Sequence, residues 1–254
     1  MSTTIIRRVR ACVLHVVTFL ATATVQATPG SGPSLMITYR VTPAQRVVLQ
    51  QELQKLAAGE LRRRQADGML TGYRLLFSRY ADAQGWDAMA LLTFRNDHEL
   101  GRWKEVERSR PAGLSARALA ATTEIRTDAI ESIRQQGSAP PAGHSVFLVI
   151  PYKVLVSRND YLKYADGYVL PQFAGWMEEG VLSRYSVYSN LYSAGRAWNT
   201  MIVLEYKDDD ALGRREAVVT KVRERLQDDP TWKAISQDKK EVRVELHPVI
   251  ADSL

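Results

Sequence analysis

The sequence has a single cysteine among its 254 residues, and that residue is Cys12. Cys12 lies within residues 1–27, a segment that has the pattern of a removable export signal. The rest of the chain has no cysteine, which excludes disulfide bonds, thiolate nucleophiles and Cys-ligated metal ions from it. Its stability therefore has to come from a hydrophobic core, and about 225 residues are enough to build one.

Other diagnostic patterns are missing too. No histidine has the His-x-x-x-His spacing of a metal site, no glycine-rich loop follows a predicted strand, and no Ser-His-Asp arrangement is recognisable. We therefore predict neither a metal ion nor a cofactor. The formal charge is +6, but without the three arginines of the export signal the Lys and Arg count falls from 34 to 31 against 28 acidic residues. The remaining excess is too dispersed to predict a nucleic-acid partner.

Residues 1–27 predict export. Arg7, Arg8 and Arg10 precede an apolar stretch, Ala11 to Val25, and Val25-Gln26-Ala27 fits a small-x-small cleavage site. The stretch is shorter than the ~20 residues that span a membrane, so we expect cleavage and no stable membrane insertion. The mature protein is then periplasmic or secreted. The arginine pair leaves general secretion and twin-arginine export open as alternative routes.

What the chain does contain is an internal repeat. Residues Gly68 to Arg102 align without a gap with Gly180 to Arg214. The alignment pairs residues of rare types, among them Trp86 with Trp198 and Met89 with Met201. A coincidence of rare residues at constant spacing favours a tandem duplication.

Each copy predicts the same order of elements: strand, helix, strand, strand, helix, strand. In the first copy, Thr42-Pro43 has the pattern of a helix start and Gly68 that of a helix end. In the second copy the corresponding positions are Ser157 and Gly180, and Pro171 predicts a kink or two helical pieces between them. The predicted boundaries are residues 34–132 for the first unit, 133–143 for a linker and 144–251 for the second unit.

This order resembles the ferredoxin-like βαββαβ unit of the dimeric α+β barrel superfamily, and the resemblance covers nearly all of the chain after the export signal. It implies an α+β fold in which two antiparallel sheets pack face to face as a pseudo-dimeric barrel. Strands such as Val146 to Ile150 are apolar on both faces and must be buried on both, which agrees with that packing. The sister unit is the nearest partner; the alternative is a homodimer in which like units of two chains pair.

The candidate ligand-contacting residues are basic and aromatic side chains of the predicted strands. Arg74 and Arg184 interrupt apolar strands, so each needs a buried partner, a ligand or solvent. With them we group the aromatic candidates Tyr73, Tyr152, Tyr185, Tyr188 and Trp198. The competing interpretation is that the aromatic residues are core and the basic residues emerge at strand ends. The catalytic residues, if any, are not identified.

Three functions stay open at this point, and whether the chain is an enzyme is undecided. The first expectation is an exported, non-enzymatic protein that holds a small organic ligand or a partner in the barrel. The resemblance implies two alternatives: a cofactor-independent monooxygenase-like enzyme acting on aromatic compounds, or a haem-binding protein. For the haem-binding alternative, His247 is the position to test, against His98 and His144 as ordinary histidines.

Overall fold

The computed structural model describes residues 32–138 and 145–254. In the first half, strand β1 is followed by a helix pair, a hairpin, a second helix pair and a long strand. The ranges are β1 Ser34–Val41, α1 Arg46–Leu56, α2 Arg62–Ala66, β2 Leu70–Ser78, β3 Ala88–Phe94, α3 Asp97–Ser109, α4 Ala116–Ala121 and β4 Thr122–Gly137. A π-helical turn, Ala57–Leu61, joins α1 to α2.

The second half follows the same plan with more helices. Its ranges are β5 Val146–Val154, α5 Arg158–Tyr164, α6 Leu170–Glu178, β6 Leu182–Asn190, β7 Thr200–Tyr206, α7 Asp209–Gly213, α8 Arg215–Leu226, α9 Pro230–Gln237, α10 Lys239–Val242, β8 Arg243–Glu245 and β9 Val249–Ser253. A π-helical turn, Ala165–Val169, separates α5 from α6, and Pro171 lies in the first turn of α6. The two helical pieces expected around Pro171 are therefore present.

Three of the four predicted helix ends are placed as expected; at the fourth, Pro43–Gln45 forms a 3-10 turn, the Thr42 side chain makes no capping hydrogen bond, and α1 begins at Arg46. The Ser157 side chain accepts a hydrogen bond from the backbone N–H of Asp160, which caps α5. Gly68 and Gly180 have φ angles of +74° and +72°, so both take the left-handed conformation in which a side chain is costly. In the described part of the chain, every helix is too short or too polar to cross a membrane.

Eight antiparallel strands close into a barrel. Their order is β4-β1-β3-β2-β9-β5-β7-β6, and β6 pairs again with β4. The two joints between the halves are β2 with β9 and β4 with β6. The predicted antiparallel α+β barrel is therefore confirmed, and it closes within one chain through hydrogen-bonded strand edges as well as through packed faces. The tandem duplication stays a prediction.

Side-chain alternation along the strands produces three apolar clusters. Odd-numbered residues of β1, such as Ile37 and Tyr39, pack under the helices of the first half, and even-numbered residues of β7, such as Leu204 and Tyr206, pack under the helices of the second. The third cluster fills the middle of the barrel with residues of both halves: Met36, Leu76, Met89, Leu91, Ile130, Phe147, Val149, Trp198, Met201, Val203 and Ala251. The sheet faces that the helices leave bare thus bury each other.

Two segments differ from their predicted form. Strand β4 continues to Gly137 and pairs with β6, so residues 133–137 of the expected linker are strand. The last strand, expected as one piece ending near Val249, is split into β8 and β9, which both lie beside β5. Pro248 lies in the break, where it has no backbone N–H to contribute to a ladder. The predicted export signal and His144 lie outside the described residues.

Candidate functional site

A pocket of about 300 Å³ opens at one end of the barrel, and we call it the lower pocket. It lies at the N-terminal ends of β1 and β2 and beside the extension of β4. Its lining residues are Ser34, Thr71, Gly72, Tyr73, Arg74, Leu91, Thr93, Ser132, Gln135, Arg184, Ser186 and Tyr188.

Two arginines share one carboxylate beside this pocket. Arg74 Nη1 lies 3.0 Å from Glu205 Oε2, and Arg184 donates to the same oxygen through Nε at 2.7 Å. The Glu205 side chain is 4% exposed, whereas the Arg74 and Arg184 side chains are 24% and 25% exposed. The three groups carry a formal excess of one positive charge, and both arginines line the pocket.

Strand pairing explains why these residues meet. Arg184 and Glu205 are direct partners in the β6–β7 ladder, next to a register shift between Leu182 and Arg184. Arg74 comes from β2 in the other half, and its guanidinium lies 5.0 Å from the ring centre of Phe147 on β5. A buried carboxylate is costly unless it is paired and hydrogen-bonded. Glu205 is thus stabilised by arginines from both halves of the barrel.

The remaining polar group of interest is the Tyr188 hydroxyl. Burial raises the pKa of Tyr188, and the Glu205 carboxylate adds to that rise, while a hydrogen bond with Ser186 and the charge of Arg184 oppose it. The phenol therefore stays protonated at neutral pH and can donate a hydrogen bond. The pocket as a whole offers guanidinium and hydroxyl donors above an apolar floor that includes Leu91.

The structure brings together some of the predicted site residues and separates others. Arg74, Arg184 and Tyr188 line the lower pocket. Tyr73 touches its rim, but its hydroxyl donates to the Ala57 carbonyl on the helix side. Tyr185 and Tyr152 face the helices of the second half, in agreement with the competing interpretation of them as core.

One more predicted site residue lies outside the lower pocket, and one residue beside that pocket was not predicted. Trp198, which was predicted, lies at the other end of the barrel, beside a second pocket. Glu205 was missed by the sequence reasoning, although the signal was present: it is the one acidic residue in the apolar strand Thr200–Tyr206 and occupies an inward position.

The second pocket, which we call the upper pocket, has a volume of about 210 Å³. It is lined by Thr38, Arg40, Gln84, Gly85, Trp86, Glu124, Arg126, Pro151, Ala197, Trp198, Met201, Leu246, His247 and Val249. His247 sits at its rim with a 42% exposed side chain, and its Nε2 is 2.5 Å from Asp82 Oδ2.

Among the described residues, neither histidine is buried against a cavity as a proximal haem ligand is. Haem iron needs an axial ligand directed into its pocket, most often a histidine. His98 is 79% exposed beside Glu99, and His247 is held at an exposed rim by Asp82. No group of three or more potential metal ligands occurs among residues 32–138 and 145–254.

No protein-family model and no curated protein matches the sequence. Solved structures do match along most of the chain. It is similar to a monooxygenase candidate from Lactobacillus acidophilus NCFM, with a TM-score of 0.54 and 12% identity over 87% of this chain and 93% of that one. It is similar to an anthrone oxidase-like protein, with a TM-score of 0.53 and 15% identity over 87% and 90%.

A mutant chlorite dismutase from Candidatus Nitrospira defluvii is also similar, with a TM-score of 0.50 and 10% identity over 89% of this chain and 92% of that one. At such identities the likeness shows the fold, and the fold is that of the dimeric α+β barrel proteins. The expectation of a non-enzymatic binding protein is corrected by these comparisons. The similar structures are those of monooxygenase-like, anthrone oxidase-like and chlorite dismutase proteins, which favours the enzymatic alternative over the non-enzymatic one.

Proposed function

We propose that the chain is a monooxygenase-type enzyme that oxidises a small aromatic compound with an ionisable hydroxyl group, and that the lower pocket is its active site. The observation that carries this proposal is the pair Arg74 and Arg184 on the single buried carboxylate of Glu205. The enzymatic alternative needs no histidine ligand, in contrast to the haem-binding alternative for which His247 was the position to test.

The excess positive charge suits an oxidation that begins with an anion. A guanidinium group within a partly buried pocket stabilises a phenolate or enolate more strongly than bulk water does. That anion is the electron-rich form of the substrate that reacts with O2. When the oxidised carbon is a CH2 group, it becomes a carbonyl with one oxygen atom of O2, and the other oxygen leaves as water with the two hydrogens.

Four of the lining residues then have a role. Arg74 and Arg184 hold the substrate oxyanion, and Glu205 fixes both guanidinium groups so that little reorganisation is needed. The protonated Tyr188 donates a hydrogen bond to a second oxygen of the substrate. Leu91, on the floor of the pocket, contacts the apolar ring.

We also propose that the chain is exported, on the pattern of residues 1–27, and that its halves are duplicated ferredoxin-like units. The duplication is supported by the strand orders β4-β1-β3-β2 and β9-β5-β7-β6, which are the same in chain order when β8 and β9 are counted as one split strand.

The test is oxygen consumption with two substrates: 1,8-dihydroxyanthrone, whose CH2 group becomes the second carbonyl of an anthraquinone, and 2-naphthol, which O2 converts to 1,2-naphthoquinone and water. Both quinones are followed by absorbance. We expect turnover above the rate of autoxidation in buffer, and a loss of tenfold or more in kcat/KM for Arg74→Gln and Arg184→Gln. The matched control is Arg79→Gln, because Arg79 also binds two carboxylates, Asp252 and Asp209, but does not line the lower pocket. Wild-type rates equal to autoxidation with both substrates would refute the proposal, as would equal rates for all three variants.

A further inference from the structure

The upper pocket is separated from the lower pocket by packed side chains. Met36, Leu76, Met89 and Val149 lie between the two ends of the barrel, and each is 0% exposed. A ligand at one end therefore does not contact a ligand at the other. The upper pocket has to be considered as a site of its own.

Two tryptophans form the walls of this pocket. Trp86 precedes β3 and Trp198 precedes β7, so both come from the ends of the β2–β3 and β6–β7 hairpins. Trp198 is 7% exposed, and Met201 below it is 2% exposed. Indole rings offer broad apolar faces on which a flat ring stacks.

The rim of the upper pocket repeats the charge pattern of the lower one. Arg40 Nη1 lies 3.5 Å from Glu124 Oε2, and Arg126 Nη2 lies 3.1 Å from Glu124 Oε1. Two guanidinium groups therefore share one carboxylate, so these three groups carry a formal excess of one positive charge, while the Asp82 carboxylate lies on the far side of His247. The fourth ionisable group of the lining, His247, is bonded to Asp82.

We propose that the upper pocket binds a planar aromatic carboxylate, with its ring against Trp86 and Trp198 and its carboxylate on Arg40 and Arg126. Charge complementarity selects an anion over a cation, and the planar guanidinium groups match the two oxygens of a carboxylate. The apolar walls select an aromatic body over an inorganic anion. The pocket volume of about 210 Å³ sets the size at one or two fused rings.

The positions of the tryptophans allow a site-specific measurement in the full chain. The sequence has five tryptophans. Trp103, Trp176 and Trp232 pack in the clusters between sheet and helices, away from the barrel interior. The proposed measurement is an NMR titration of 15N-labelled protein with 2-naphthoate. The indole N–H resonances report on binding, and single Trp→Phe substitutions assign each resonance to its residue.

We expect 2-naphthoate to shift the Trp86 and Trp198 resonances and to leave those of Trp103, Trp176 and Trp232 in place. Naphthalene-2-carboxamide, which has the same shape without the charge, should bind at least tenfold more weakly. Arg126→Gln should weaken 2-naphthoate binding by about tenfold, since it removes one of the two guanidinium groups at the rim.

The matched control is Arg184→Gln in the lower pocket, which should leave these shifts and the affinity unchanged. Equal affinity for the acid and the amide would overturn the proposal, as would no shift at Trp86 and Trp198. A loss of binding in Arg184→Gln but not in Arg126→Gln would place the ligand in the lower pocket and also overturn it. None of these outcomes depends on oxidation of a substrate, so they are distinct from the test of the proposed function.

Discussion

Glu205→Gln removes the charge that Arg74 and Arg184 share while keeping nearly the same side-chain volume. The glutamate side chain is 4% exposed, and its oxygen Oε2 accepts hydrogen bonds at 3.0 Å and 2.7 Å. In the variant, two guanidinium groups remain close together without a counter-charge. Both the lost attraction and the new repulsion destabilise the folded state.

The magnitude follows from burial. Breaking a fully buried ion pair costs about 3–5 kcal/mol, because the remaining charge stays desolvated. Here the two arginine side chains are 24% and 25% exposed, so water reaches them and the cost lies at or just below the lower end of that range. We expect a loss of about 2–3 kcal/mol in the free energy of unfolding. For a chain of this size that is a decrease of roughly 5–10 °C in Tm.

The assay is urea unfolding followed by circular dichroism, with the midpoint and the slope fitted separately. Glu124→Gln is the matched control, because Glu124 also binds two arginines but is 43% exposed. Exposed ion pairs contribute about 0–1 kcal/mol, so this variant should stay close to wild type. If Glu205→Gln and Glu124→Gln are destabilised equally, burial does not govern the energy of the Arg–Glu–Arg group and the reasoning is refuted.

Two further predictions concern the helix side of the second half. Arg134 donates hydrogen bonds of 2.7 Å to both oxygens of Asp166 and lowers the pKa of that carboxyl group from its usual 3.8. The stability that this pair contributes is therefore complete above the unfolded pKa and is lost as the pH falls through the lower folded pKa. Asp166→Asn should cost under about 1 kcal/mol at pH 7, because Asp166 is 49% exposed, and progressively less as the pH falls below 3.8 and through the folded pKa; a constant difference across pH would contradict this. Arg243 lies over the rings of Tyr152 and Tyr164, at 4.0 Å and 5.4 Å from the ring centres. Arg243→Lys should lose about 1–2 kcal/mol of stability and change the near-UV circular dichroism, whereas the exposed Arg225→Lys should not; equal effects would show that the stacking contributes nothing.

Much of the secondary structure was predictable because it depends on local sequence. Ser157 caps α5, and Gly68 and Gly180 end the helices that precede the hairpins, as their residue types indicate. Local signals failed where a distant strand decided the outcome. Residues 133–137 are polar enough for a linker, yet they form strand because β6 offers a free edge beside them.

The candidate site was predictable only in part. Arg74 and Arg184 were identified because a basic residue in an apolar strand needs a partner. Tyr152 and Tyr185 were included although each faces the helices, since an aromatic residue suits either face of a strand. Assigning the face requires the register, and the register shift beside Arg184 could not be read from the sequence.

By itself, the sequence determined the order of strands and helices and the need to bury a second sheet face, because both follow from apolar periodicity along the chain. Only the tertiary structure decided that β4 joins β6 and β2 joins β9, and therefore that Arg74 meets Glu205 across 131 positions of sequence. The physical reason is that every strand edge offers the same backbone donors and acceptors, so the partner is selected by the packing of side chains far apart in the sequence. The charge pattern of both pockets thus depends on how the strand edges combine.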